Sequence, residues 1–99
     1  MTATYTSRAR QIGDYLASLI DERELVHSLW VAQRNAQVEL WLIVDVDDID
    51  HEQTYHALLG PLLGEYPDTS IDYRVLNLHR VDKQTALDSI PDGSLNIEV

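Results

Sequence analysis

Val38 to Asp50 reads VELWLIVDVDDID, and this stretch decides the fold because a strongly apolar segment runs directly into a cluster of carboxylates. Val38 to Val46 has the β-branched and aliphatic composition of a strand. The preceding Leu25 to Ala32, LVHSLWVA, has the same character, and the polar QRNAQ between them is short enough for a hairpin. The sequence therefore predicts two paired strands at the centre of a sheet.

The hairpin also predicts a register. If Arg34 to Gln37 forms a four-residue loop, Leu29 lies opposite Leu42 and Trp30 lies opposite Trp41. Aliphatic side chains then share one face, which is the expected core. The opposite face collects large apolar side chains, including one from a later strand: Trp30, Trp41, Ile43 and Leu76.

Upstream of the hairpin, the spacing of apolar residues predicts an amphipathic helix. The residues on its apolar stripe are Ala9, Ile12, Leu16, Leu19 and Ile20. Residues 1–6 are predicted to be a loose terminus, with Thr6 or Ser7 as the N-cap. Gly13 lies inside this helix, where it costs about 1 kcal/mol relative to Ala, and it allows a close helix–sheet contact.

Downstream, Asp48 or Asp50 can cap a second helix. Its apolar positions are Tyr55, Leu58, Leu59, Leu62 and Tyr66. Gly60-Pro61 should kink or break this helix, because proline removes an N–H and crowds the preceding turn. Ser70 to Leu78, SIDYRVLNL, then predicts a third strand.

The last part of the chain, residues 79–99, carries the weakest pattern. Asp82 can cap a short helix, KQTALDSI, which a turn at Pro91-Asp92-Gly93 ends. The final LNIEV alternates apolar and polar residues and predicts an edge strand. The chain is therefore expected to be a single α+β domain over residues 1–99, with one layer of helices on a three- to four-stranded mixed sheet in the order helix–strand–strand–helix–strand–(helix)–strand.

Composition limits the classes of function. The 99 residues carry a formal net charge of −10 and contain no cysteine, so disulfides and thiolate chemistry are excluded. The seven Lys and Arg residues are scattered, which opposes nucleic-acid binding. No apolar run has the length of a membrane span, and MTATYTSRAR lacks the apolar core of a signal peptide, so we expect a cytoplasmic protein without a membrane partner.

The carboxylate run that follows the central strand comprises Asp45, Asp47, Asp48, Asp50 and Glu52. Acidic residues in the first turn of a helix are stabilised by its partial positive charge, by about 0.3–1 kcal/mol each. This effect accounts for Asp48, Asp50 and Glu52. It does not account for Asp45, which lies on the same strand face as Trp41 and Ile43.

The segment LIVDVDDI resembles the first motif of haloacid-dehalogenase-like phosphotransferases, an apolar strand followed by D-x-D. The resemblance implies Asp45 as nucleophile and Asp47 as general acid. It covers fewer than ten residues. The downstream Ser/Thr, Lys and acidic motifs of that family cannot be placed in this chain.

A second interpretation is a minimal nucleotidyltransferase, in which Asp45 and Asp47 share Mg²⁺ ions with Asp72 from the third strand. The Gly-Ser turn that precedes the D-x-D in such proteins is missing here. A third interpretation is weak binding of Mg²⁺ or Ca²⁺ by the acidic run without any catalysis.

A broader resemblance covers residues 38–99. The aromatic-bearing strand VELWLIV, a helix ending in EYPD, the strand IDYRVLN and an I-P-D-G turn before a short strand are together similar to small uncharacterised bacterial α+β proteins. None of these motifs is a catalytic signature, so the resemblance implies a fourth strand and no mechanism.

The apolar face that carries both tryptophans needs a cover, because helices on one side of the sheet leave it open. Either the C-terminal segment folds across it, or the chain forms a homodimer through this face or through a sheet edge. The leading hypothesis is a non-enzymatic interaction or self-associating module that uses Trp30, Trp41, Ile43 and Leu76 and needs no cofactor. The alternative is a divalent-metal-dependent phosphoryl- or nucleotidyl-transfer domain that uses Asp45, Asp47 and Asp72.

Overall fold

The computed structural model describes residues 3–99, with side chains from Arg8 onward. The sheet has four strands: β1 (Val26–Arg34), β2 (Gln37–Val44), β3 (Ser70–Asn77) and β4 (Leu95–Ile97). Their spatial order is β3-β2-β1-β4. Strand β1 runs antiparallel to both β2 and β4, whereas β2 runs parallel to β3. The predicted α+β class with a mixed sheet is confirmed.

Four α-helices accompany the sheet: α1 (Ala3–Leu19), α2 (Ile49–His56), α3 (Leu59–Glu65) and α4 (Lys83–Asp88). A single 3₁₀ turn, Arg23–Leu25, links α1 to β1. The order of elements matches the predicted one, with the middle helix divided in two. None of the helices in the described part of the chain combines the length and the apolarity that a membrane crossing requires.

The register of the hairpin is the predicted one, since Leu29 pairs with Leu42 and Trp30 with Trp41. The loop is shorter than expected, because Arg34 and Gln37 still pair and only two residues connect the strands. Asn35 adopts a left-handed conformation with φ of 55°. Asparagine tolerates this conformation better than most residues, which makes the tight turn possible.

Strand β2 is buried along its whole length except at Gln37. Its even-numbered side chains point to the core face of the sheet, where α1, α2 and α3 cover them. The buried residues of this core are Ala9, Ile12, Leu16, Ala17, Ile20, Leu29, Val31, Val38, Leu40, Leu42, Val44, Val46, Tyr55, Leu62 and Ile97. The odd-numbered side chains of β2 point to the opposite side, which we call the second face.

The second face is covered by the segment of residues 78–94, which includes α4. Ile43 and Ala86 are almost completely buried, yet neither belongs to the core under α1 to α3. Strands β3 and β4 run parallel at opposite edges of the sheet, so a right-handed connection between them crosses the sheet on the side opposite to α2 and α3. The C-terminal segment of the same chain, and not a second copy, therefore covers this face in the structure.

Several helix boundaries follow the predicted signals. The Asp48 side chain accepts a hydrogen bond from Asp50 N at 2.9 Å, and the Asp82 side chain caps α4 through Gln84 N at 3.1 Å. The break before α3 leaves Pro61 in the first turn of that helix, where no intrahelical donor is required.

The predicted start of α1 was wrong. The helix begins at Ala3, before the expected caps at Thr6 and Ser7, because no Gly or Pro interrupts its first turns. Met1 and Thr2 of the predicted loose terminus lie outside the described residues, as do the side chains of Thr6 and Ser7.

Gly13 forms the expected close contact between helix and sheet. A Cβ atom at this position would lie 2.9 Å from Cγ1 of Ile97 and 3.5 Å from Cγ1 of Val31. Both atoms belong to buried β-branched side chains, which have little freedom to move away. The packing of α1 on β4 therefore requires glycine at this position.

We expect Gly13→Ala to lower the free energy of unfolding by about 1–3 kcal/mol, because overpacking outweighs the gain in helix propensity. Gly64→Ala is the matched control, since a Cβ atom there meets nothing within 4 Å. That variant should be neutral or more stable than the parent. Urea denaturation followed by circular dichroism measures both, and a stabilised Gly13→Ala variant would contradict the packing argument.

Candidate functional site

The predicted interaction residues on the second face do not form one open patch. Ile43 is 0% exposed and Trp41 is 7% exposed, so the prediction of a surface built on both has to be corrected. The segment of residues 78–94 crosses this face, and the Arg74 guanidinium lies 4.9 Å from the centroid of the Trp41 ring. Trp30 and Leu76 remain half-buried.

Two carboxylates and two arginines lie together near the start of β2 and β3. Glu39 is 7% exposed and occupies the same register position as Asp72 on the parallel neighbour. Arg34 Nε lies 3.5 Å from a Glu39 oxygen, and Arg74 Nη2 lies 2.9 Å from an Asp72 oxygen. Each carboxylate therefore has an arginine partner, which offsets the cost of placing the two acids side by side.

The structure does not bring Asp45, Asp47 and Asp72 together. Asp72 lies beside Glu39 in the register of β3 and β2, whereas Asp45 follows the end of β2 at Val44. Six strand positions separate Glu39 from Asp45, which is about 20 Å at the usual rise per residue. Among residues with described side chains, no three His, Asp or Glu groups are placed to hold a metal ion. These three predicted carboxylates therefore do not converge on one site.

Asp45 has a partner of its own at the carboxyl ends of the parallel strands. Its Oδ1 lies 2.9 Å from Nδ1 of His79, which follows β3. Both side chains are more than half exposed. When Nδ1 carries the proton and donates to Asp45, the lone pair of Nε2 faces outward as a proton acceptor. The contact with His79 gives Asp45 a structural role, which the charge at the start of α2 did not explain.

The same end of the sheet contains a cleft of about 360 Å³. Its lining residues are Leu25, Asp45, Val46, Asp47, His51 and His79. His51 Nε2 lies 2.7 Å from a carboxylate oxygen of Glu22, so both histidines of the cleft are paired with acids. The lining holds carboxylates and imidazoles, which can transfer protons.

Asn77 connects the ends of β2 and β3 and was not identified from the sequence. Its buried amide donates to Val46 O at 2.8 Å and to Glu52 Oε1 at 3.0 Å. Its oxygen accepts from Val46 N at 3.2 Å and from His79 N at 3.1 Å. One side chain therefore positions the backbone on both sides of the cleft.

Glu52 extends this network from α2. Arg80 Nε donates to Glu52 Oε1 at 2.8 Å, and this bond together with the one from Asn77 holds the pKa of the Glu52 carboxyl below its usual value. The carboxylate side chain is 15% exposed. A polar tie thus links α2 to the loop that follows β3.

The outer edge of β3 is open in the described part of the chain. Leu78 N donates to Val44 O at the end of the β2–β3 ladder, so the even-numbered residues of β3 direct their backbone groups toward β2. The backbone groups of Ile71, Tyr73 and Val75 therefore point outward. No backbone hydrogen bond of the described chain engages these outward groups.

Large exposed apolar side chains lie on α2 and α3. Ile49 on α2 is 59% exposed and Leu63 on α3 is 45% exposed, and the described residues show no other large hydrophobic side chain with comparable exposure. Helix α2 packs against β3, whereas α1 packs against β1 and β4. Ile49 thus belongs to the helix that packs beside the open edge, whereas Leu63 lies on α3, which packs against α1.

Comparisons with protein-family models, with curated proteins and with solved structures gave no match for this chain.

We expect Glu52→Gln to lower the free energy of unfolding at neutral pH by about 1–2 kcal/mol, because a charge-assisted bond to Arg80 becomes a neutral one. The lowered pKa in the folded state means that the carboxylate stabilises the fold above its unfolded pKa and loses this effect as the pH falls through the folded pKa. The difference between parent and variant should therefore shrink in acid.

Urea denaturation at a series of pH values measures this difference. Glu65→Gln is the control, because Glu65 is exposed and is not part of the Asn77–Arg80 network. A destabilisation by Glu52→Gln that stayed constant down to the lowest pH would show that the carboxylate charge is not responsible.

Proposed function

We propose that this protein is a non-enzymatic interaction module that self-associates through the outer edge of β3. The observation that carries the proposal is the length of this edge, since β3 has eight residues and no described residue engages the outward backbone groups of Ile71, Tyr73 and Val75. The other edge of the sheet is formed by β4, which has only three residues. A long edge strand is a template for another strand.

The composition of β3 supports this interpretation. Proteins commonly protect an edge with proline, lysine or a bulge, and β3 contains no proline, no lysine and an unbroken register with β2. The strand SIDYRVLN is instead half apolar and carries one acid and one base. Asp72 and Arg74 are its only charged residues, and their charges are opposite.

Charge favours this edge over the rest of the surface. Two copies with a formal charge of −10 each repel one another, so close approach is easiest where the local charge is neutral. Asp72 and Arg74 cancel within β3, and residues 57–64 of the neighbouring helix segment carry no charge. A two-fold axis at the edge would also bring the exposed Ile49 and Leu63 of both copies to the same side of the sheet.

This proposal moves the interaction surface from the tryptophans to the sheet edge. Leu76 is the one predicted interaction residue that lies on β3 itself. The cytoplasmic location, the lack of a nucleic-acid or membrane partner and the lack of a cofactor stay as expectations from the sequence.

Val75→Pro tests the proposal directly. The N–H of Val75 points outward, so proline should block the edge without removing a hydrogen bond to β2. Val75→Ala is the matched control, because it loses similar packing and keeps the N–H. Light scattering after size-exclusion chromatography should give twice the 11.3 kDa mass of one chain for the parent and for Val75→Ala, and a monomer for Val75→Pro.

Circular dichroism verifies that each variant is folded. A parent protein that stays monomeric at high micromolar concentration in physiological salt would overturn the proposal. A folded Val75→Pro dimer would overturn it equally, because self-association would then use another surface.

A further inference from the structure

Resting on the proposed function, we infer that the second copy pairs with β3 in one antiparallel register, centred on Tyr73, in which Asp72 of each copy faces Arg74 of the other. The partner is thus a second copy of this chain in a specified orientation. The two sheets join into one continuous sheet of eight strands, with both helix layers on the same side.

The backbone of β3 limits the possible registers. Outward-pointing groups belong to the odd-numbered residues, so an antiparallel partner has to pair odd residues with odd residues. Three centres meet this condition and also pair at least two of the outward-pointing residues Ile71, Tyr73 and Val75 with one another, namely residues 72, 73 and 74. A centre farther from Tyr73 pairs no two of these residues with each other.

Charge selects among these three centres. A centre at 72 places Asp72 opposite Asp72 of the other copy, and a centre at 74 places Arg74 opposite Arg74. Like charges directly opposite one another destabilise a strand pair, whereas opposite charges stabilise it. The centre at Tyr73 makes both charged pairs attractive, and only this centre does so.

The side chains on the two faces agree with this choice. On the core side, Ile71 meets Val75 of the other copy, which pairs two β-branched residues. Tyr73 lies on the axis, where its hydroxyl already donates to Tyr55 O at 2.7 Å within its own chain. The central side chain is therefore held in place before a partner arrives.

The charged pair needs little rearrangement. Arg74 Nη2 and Asp72 Oδ2 lie 2.9 Å apart along the same strand, with side chains that are 52% and 30% exposed. In the paired sheet these positions form the closely spaced pairs that exchange no backbone hydrogen bonds, so their side chains come nearest to one another. Each arginine can then bind the acid of the neighbouring copy.

Two charge reversals test the register. A dimer of Asp72→Lys places two lysines opposite arginines, and a dimer of Arg74→Glu places two glutamates opposite acids, so each variant should dimerise about tenfold more weakly or worse. An equimolar mixture should form a heterodimer, because the lysine introduced at position 72 of one chain then faces the glutamate introduced at position 74 of the other. Native mass spectrometry distinguishes the heterodimer from either homodimer by mass.

The single variants and their mixture together distinguish the proposed register from two simpler explanations. Asp72→Lys makes the chain less negative, so a general charge repulsion predicts a tighter dimer, whereas the register predicts a weaker one. Repulsion between residues 72 and 74 of a single chain would not be relieved by mixing. The double variant that carries both reversals should dimerise like the parent, and it is available if one single variant folds poorly.

Failure of the inference is distinguishable from failure of the proposed function. If both single variants dimerise like the parent, or if the mixture fails to restore a dimer, the register is wrong. The proposed function still stands in that case when Val75→Pro abolishes the dimer. A monomeric parent protein would remove both.

Discussion

Burial of β2 on both of its faces is the constraint on which the rest of this structure depends. From Val38 to Val44 every side chain is buried, so one layer of helices cannot complete the fold. Helices α1 to α3 cover one side, and the segment of residues 78–94 covers the other. That segment can cross the sheet because β3 and β4 lie at opposite edges. The strand order thus allows both faces of β2 to be covered by segments of the same chain.

A polar link holds the carboxyl ends of the parallel strands together where the apolar core ends. Asn77 binds both backbone groups of Val46 and reaches Glu52, so the loop after β2, the start of α2 and the loop after β3 keep a defined arrangement. The pairs Asp45–His79 and Glu22–His51 surround the resulting cleft. Both histidines of the cleft thus bind acids of their own chain. Asp45 and Glu22 therefore have structural roles within this strongly acidic sequence.

The fold was predictable because its signals are local. Strand composition, helix periodicity and Asp caps at Asp48 and Asp82 each involve neighbouring residues, and the parity of the hairpin gave the correct pairing even though the loop is shorter than expected. The candidate site was not predictable to the same extent. Asn77 was visible as a polar residue in an apolar strand, but its partners depend on the parallel pairing of β3 with β2, which no local pattern specifies. Because the register of β3 could not be predicted, Asp45 was grouped with Asp72.

The contact between Gly13 and Ile97 has a consequence for the local stability of the sheet. These residues are far apart in the chain, so the contact closes a very long loop at a cost in conformational entropy. Strand β4 has three residues and one neighbouring strand, so its attachment to the sheet depends on this contact. The amides of β4 should therefore exchange with solvent through local opening, well before those of β2. In a sheet with one long unpaired edge, the first strand to detach would be the one at the opposite edge.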